Sequence, residues 1–148
     1  MSNSQKYLAA ALTVFFLAFL LVPSGSAQQR MSDKDIENTM KNLKEDSQRF
    51  QSSFNSAISK STIRKTSQEK DAKATVKSFQ TQTQSMLDVF QHTKKAETTL
   101  PGVLSTARQI DGILSSVSLG GATPSDWAKC KAELSILANE FNMPSHTN

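Results

Sequence analysis

Ser32 to Ile58 reads SDKDIENTMKNLKEDSQRFQSSFNSAI, and the spacing of its apolar residues decides the fold. Ile36, Met40, Leu43, Phe50, Phe54 and Ala57 fall four and three apart, with Ser47 in the one place where an apolar residue is missing. That alternation is the period of one face of an α-helix. Neither glycine nor proline interrupts it, and Lys, Glu, Gln and Asn cover the other faces. Ser32 supplies an N-cap oxygen and Asp35 a carboxylate at the third helical position, both favourable at the positive end of the helix dipole. The helix is therefore expected over about 32–58. A stripe this narrow must find partners, and the rest of the chain supplies them.

Downstream, Ser59 to Thr66 is polar and helix-weak, as a connection should be. Thr66 and Glu69 repeat the cap spacing, and Ala72, Val76, Phe79, Thr83, Met86 and Phe90 continue the four-three alternation through a second helix over about 66–93. Folding the two helices back on each other brings Ser47 near the level of Val76 and Phe79, and Thr83 near that of Met40 and Leu43, so that small polar residues face large apolar ones. Thr98 or Thr99 can cap a third helix, about 100–117, with Pro101 in its first turn where a missing N–H costs little. Its stripe is Leu100, Val103, Leu104, Ala107, Ile110, Leu114 and Val117, broadened by Ile113. Gly120-Gly121 ends it. Thr123-Pro124-Ser125-Asp126 then reads as cap, first-turn proline and acidic third position for a fourth helix, about 124–142, carrying Trp127, Cys130, Leu134, Leu137 and Phe141.

Four amphipathic segments with short connections predict an all-α, antiparallel up-down four-helix bundle over 32–142. A long coiled-coil rod is the alternative, and the polar breaks and Gly120-Gly121 argue against it. The first two helices outrun the last two, so their shared tip is expected to project. Residues 28–31 read as a frayed start and 143–148 as a disordered tail closed off by Pro144.

Upstream lies Leu8 to Val22, LAAALTVFFLAFLLV, with Lys6 before it and Pro23-Ser24-Gly25-Ser26-Ala27 after it. A basic start, an apolar run and small residues before a cut after Ala27 describe a cleavable signal peptide, 1–27. The run is short for the roughly 30 Å hydrocarbon core at about 1.5 Å per residue. The expectation is an exported protein, periplasmic or extracellular, with no membrane span after signal cleavage. The only cysteine, Cys130, lies far from the end of the run, so lipid anchoring by that route is excluded. Removing Lys6 lowers the formal charge from +4 to +3, a mild excess that singles out no partner class.

Chemistry-bearing motifs are sparse. The single cysteine, Cys130, sits in the fourth helix's apolar stripe, where it reads as a small core residue; the other readings are an intermolecular disulfide and a reactive thiol. His92 and His146 lack ligands at helical spacing, and Cys-x-x-Cys-His is absent, so neither a metal site nor covalent haem is indicated. Neither a nucleophile elbow nor a glycine-rich phosphate loop occurs, and the carboxylates are scattered over outer faces. No cofactor and no enzymatic activity are expected. Lys60, Arg64, Lys65, Lys70, Lys73 and Lys77 outweigh Glu69 and Asp71 around the first connection, a local excess of four positive charges (six minus two). They form a candidate surface for an anionic partner, either a protein or an envelope surface. No aromatic residue is interleaved with them, which argues against nucleic acid. Oligomeric state stays open, self-association included.

Trp127-x6-Leu134-x2-Leu137-Ala138-x2-Phe141-Asn142, following a signal peptide and a polar helical middle, resembles the ending of small exported all-helical bacterial proteins of uncharacterised activity, acidobacterial ones among them. The resemblance covers the last quarter of the chain and implies export and helices. The functional expectation is thus an exported non-catalytic interaction or structural module, with a small-ligand or cofactor carrier using the bundle interior as the alternative.

Overall fold

The computed structural model describes residues 30–144. The expected signal segment, 1–27, and the tail from Ser145 onward, including His146, lie outside the described residues. Four helices follow one another: α1 Asp33–Ile58, α2 Ser67–Thr93, α3 Leu100–Ser116 and α4 Thr123–Glu140. Among the described residues there is no strand. None of these helices is long and apolar enough to cross a membrane.

The helix starts divide into two kinds. Ser32 is extended, and its hydroxyl accepts from the Asp35 N–H at 3.2 Å while donating to the Asp35 carboxylate at 2.6 Å. Thr66 is extended as well and accepts from the Glu69 N–H at 3.3 Å. Both caps are as the sequence reading expects. Thr99 takes the N-cap place of α3 but makes no side-chain cap bond. Thr123 is already the first residue of α4, with Ala122 before it at the N-cap. The Thr123 hydroxyl is fully buried and has no hydrogen-bond partner. The expected threonine cap of α4 is therefore corrected: Ala122 has helical dihedrals, so the helix begins a residue too early for Thr123 to reach back over it.

α1 packs against both α2 and α4, and α2 also packs against α3. α1 and α2 run in opposite directions, since Glu37 pairs with Gln91 and Lys94, Ser47 with Thr83, and Ser59 with Glu69 and Lys73. Ser47 and Thr83, expected to face large apolar residues, instead face each other at 3.0 Å, both fully buried. The register differs because the chain does not reverse at the middle of the connection. Single turns continue past Ile58, with Lys60 bonded to Ala57, Ser61 to Ile58, Arg64 to Ser61 and Thr66 to Ile63. The left-handed residue is Lys65, with φ of 63°, so the reversal falls later and slides α2 along α1.

The core is filled by aromatic and aliphatic side chains from all four helices. Phe50, Phe54, Phe79, Phe90, Met40, Leu43, Met86, Ile110, Leu134 and Leu137 are all but inaccessible to solvent. Each such side chain stabilises the fold by about 1.5–3 kcal/mol relative to exposure. Trp127 sits between Phe50 and Phe79, its ring centroid 4.8 Å from the first and 5.3 Å from the second. The stripe of α1 ends on Ile58, fully buried, rather than on the half-buried Ala57. Leu114, Ile113 and Phe141 are only partly covered.

Two ends differ from expectation. Met31, assigned to a frayed start, packs against the core and donates its N–H to Glu140 at 3.1 Å. Met143, assigned to the tail, also packs on the core. Asn142 takes a left-handed conformation (φ 51°), Met143 N–H reaches the Ala138 carbonyl at 2.8 Å and Asn142 N–H the Asn139 carbonyl at 3.2 Å. This paired termination satisfies the last carbonyls of α4 before Pro144 is reached.

Candidate functional site

The basic residues of the first connection come together at the tip formed by the end of α1, Ser59–Thr66 and the start of α2. Glu69 organises it. Its carboxylate accepts from the Lys65 backbone N–H, from the Lys73 ammonium and, at 3.4 Å, from the Ser59 hydroxyl. Lys73 also donates to Ser59 at 3.1 Å. The hydrogen bond from Lys73, followed by that from the Lys65 N–H, holds the Glu69 carboxyl below the usual carboxylate range. Glu69 therefore stays ionised and fastens the left-handed Lys65 to α2.

One of the six cations is thereby spent inside the fold. Lys73 is half-buried and committed to Glu69, whereas Lys60, Arg64, Lys65, Lys70 and Lys77 are exposed, and none of their side chains has a carboxylate partner among the described residues. The tip does not stand free of the bundle as expected. Ile63 packs against the core and lines a groove with Ile113 and Val117. The connection between α3 and α4 lies against the tip on the other side: Ser118, Gly120, Gly121 and Ala122 share a cleft of about 490 Å³ with Ser53, Ser56, Ala57, Lys60 and Ser61. Beyond Ser116 the chain leaves α3 at the extended Val117 and the connection reaches the level of the tip, which is why helix lengths alone misjudge it.

Cys130 is fully buried. Burial first, and then the charges of Asp46 and Asp126, push its thiol up to about 12. The flanking Lys129 and Lys131 turn to Asp126 and Asp111 at 4.0 and 3.6 Å. A protonated, covered sulfur is a poor nucleophile, so an intermolecular disulfide through Cys130 would require α4 to open. His92 is exposed, with Nδ1 2.7 Å from the Asp88 carbonyl. No grouping of His, Cys, Asp and Glu among the described residues could hold a metal ion.

Two polar anchors carried no sequence signal. Asp111 accepts from the Trp127 indole N–H at 2.7 Å and lies 3.6 Å from Lys131, joining α3 to α4 where those helices otherwise touch little. Glu37 accepts from Gln91 at 3.0 Å and pairs with Lys41 at 2.9 Å and Lys94 at 3.5 Å. Hydrogen bonds from Lys41 and then Gln91 lower its carboxyl to about 2. Apart from Glu37–Lys41, which are four apart on one helix, these pairings follow from the register between helices.

No known family model, curated protein or solved structure matches this chain.

Proposed function

We propose that this chain is an exported, non-catalytic interaction module that meets an anionic partner surface through the tip of its first two helices. In this reading residues 1–27 are a signal peptide removed on export to the periplasm or the cell exterior. The mature chain is an antiparallel up-down bundle with the tip at one end. The observation that carries the reading is an imbalance of pairing. Of the two acids at the tip, Glu69 is consumed by Lys73, Ser59 and the Lys65 backbone, which leaves the exposed Asp71 against Lys60, Arg64, Lys65, Lys70 and Lys77, all facing solvent. Unpaired cations on a braced scaffold attract anions at the range of the Debye length.

The alternative of a carrier using the bundle interior finds less support. Phe50, Phe54, Phe79 and Trp127 already occupy the middle of the bundle, and a guest would have to displace them.

The test is retention on an immobilised polyanion such as heparin or polyglutamate at rising salt. Lys65, Lys70 and Lys77 changed together to Glu should elute at the salt front, with an unchanged melting temperature. Equal retention of the variant and the unaltered protein would refute the reading. Lys73 is left alone, because its loss would release Glu69 and disturb the tip itself. Export is checked separately by intact mass: the secreted protein should begin at Gln28, and a chain beginning at Met1 would contradict cleavage.

A further inference from the structure

The cleft between the end of α1 and the α3–α4 connection has a composition that its size alone does not explain. Its lining holds Ser53, Ser56, Ser61 and Ser118, one cation in Lys60, backbone at Gly120 and Gly121, and no carboxylate. The Lys60 ammonium has no partner among the described residues, nor do the exposed hydroxyls of Ser56 and Ser118. Ser53 and Ser61 donate to the Phe50 and Ile58 carbonyls at 3.2 and 2.8 Å, so they are already committed. Three side-chain donors thus border one acid-free hollow. Gly121 is in the left-handed region at φ of 70°, and a Cβ added at Gly120 or Gly121 would meet no neighbouring atom within 4 Å. The backbone on that wall is therefore open to approach.

The wall also leads directly into α4, whose N-cap is Ala122 and whose first turn has no side-chain cap. The orphan N–H groups and the positive dipole end add to the field of Lys60. Two features oppose it, and both are compensated. Asp126 in the first turn lies toward Lys129 at 4.0 Å and does not line the cleft. The terminal carbonyls of α1 are occupied by the N–H groups of Ser59, Lys60 and Ser61.

The geometry points to a binding site in this cleft for a phosphate-like oxyanion, held by Lys60, Ser56, Ser118 and the Gly120-Gly121 backbone. The site rests on the reading of the tip as an anion-facing surface, whose other cations supply long-range attraction. It adds a defined acceptor geometry to that surface. The cleft, at about 490 Å³, has room for an organic group beyond the phosphate, with Ala57 and Ala122 as its apolar part. The same chemistry is offered by a free phosphate, a soluble phosphorylated metabolite or a phospholipid headgroup.

The test is an amide NMR titration of the purified protein with inorganic phosphate at constant ionic strength, chloride being exchanged for phosphate. Saturable shifts confined to Ser118, Gly120, Gly121, Ala122 and the Lys60 region are expected. Lys60→Ala should weaken the apparent affinity about tenfold or more, as loss of a charge-assisted hydrogen bond does, and Lys70→Ala should leave it unchanged. Ala122→Asp puts a carboxylate on the cleft wall at a place where acids favour helices, so phosphate binding should vanish while the fold is kept. Unsaturable drift, or saturation indifferent to Lys60→Ala and Ala122→Asp, would overturn the site. Separate arms with glycerol 3-phosphate and with phosphatidylglycerol vesicles assign the source: competition between vesicles and phosphate identifies a headgroup, and phosphate shifts without vesicle binding identify a soluble ligand. Absent phosphate shifts with polyanion retention intact overturn the cleft alone; loss of both overturns the tip reading with it.

Discussion

The α1–α2 pair and the α3–α4 pair are built differently from the same period. α1 and α2 each begin on a hydroxyl that accepts from the third helical N–H, and they are pinned to each other at three levels, by Glu37, by Ser47 with Thr83 and by Glu69. α3 and α4 begin without side-chain caps and are joined to each other chiefly through Asp111. What holds the second pair is packing onto the first: α4 lies on α1 and α3 on α2. The first pair is therefore a frame, and the second depends on it.

The largest effect on the dependence of α4 on this frame is expected from Trp127→Ala. The indole fills the space between Phe50 and Phe79 and occupies Asp111, so its loss leaves a cavity and a released carboxylate. A cost of about 3–5 kcal/mol is expected, measured by denaturant unfolding. A variant melting within error of the unaltered protein would mean that α4 does not depend on the frame.

The buried hydroxyl pair comes next. Ser47 Oγ lies 2.7 Å from the Lys44 carbonyl and Thr83 Oγ1 2.8 Å from the Gln80 carbonyl, yet each hydroxyl has a single proton. One must donate to its own helix and the other across to α1 or α2. Ser47→Ala or Thr83→Val alone should cost about 0.5–1.5 kcal/mol, the worth of the bond between the helices, because the remaining hydroxyl still donates to its own helix's carbonyl. The double variant should cost less than the sum of the two, as a double-mutant cycle would register. Strict additivity would show that the pair does not couple the helices.

The caps sharpen the same contrast at similar magnitude. Ser32→Ala and Thr66→Ala should each lose about 1 kcal/mol. Thr123→Val should lose nothing and can gain up to about 1 kcal/mol, because it removes a buried hydroxyl that has no partner. Equal losses at all three positions, read from melting curves, would erase the difference between the pairs.

Acid should act on the two seams with opposite sign. Glu37 and Glu69 have carboxyls lowered by their hydrogen bonds, Glu37 to about 2. Their contribution is present above the ordinary carboxylate value, about 4.3, and fades as pH falls through the folded value. Glu133, on α4, has its carboxyl raised by burial and then by Asp46, so its ionised form works against the fold and protonation relieves it. Carboxyl titration by NMR between pH 6 and 2 should show Glu133 protonating well before Glu37. The reverse order would contradict the pairing described for both seams.

Much of this architecture is legible from apolar spacing, because Ile36 to Phe54, Val76 to Phe90, Leu100 to Ile110 and Trp127 to Leu137 keep one phase within each helix. The register between helices is not. It depends on where the chain reverses, and Lys65 is an unexpected residue for a left-handed turn; Glu69 secures it through a backbone bond that no periodicity reveals. The cap of α4 is not legible either, because a threonine before proline has the right composition whether it stands at the cap or one residue inside. For the tip, the sequence brings out the six cations, but only the fold separates Lys73, which braces Glu69, from those facing solvent. The Gly120-Gly121 wall opposite Lys60 joins residues about sixty apart in the chain and has no local signature.

Binding at the tip depends on where the free charge lies rather than how much there is. Two variants of equal net charge decide it: Lys70 and Lys77 changed to Glu at the tip, against the exposed Lys34 and Lys95 changed to Glu away from it. Retention on immobilised polyanion at matched salt should collapse for the tip variant and be nearly unchanged for the other, with both proteins melting alike. Equal loss in the two would mean that net charge alone binds the column, and the tip would no longer be a site.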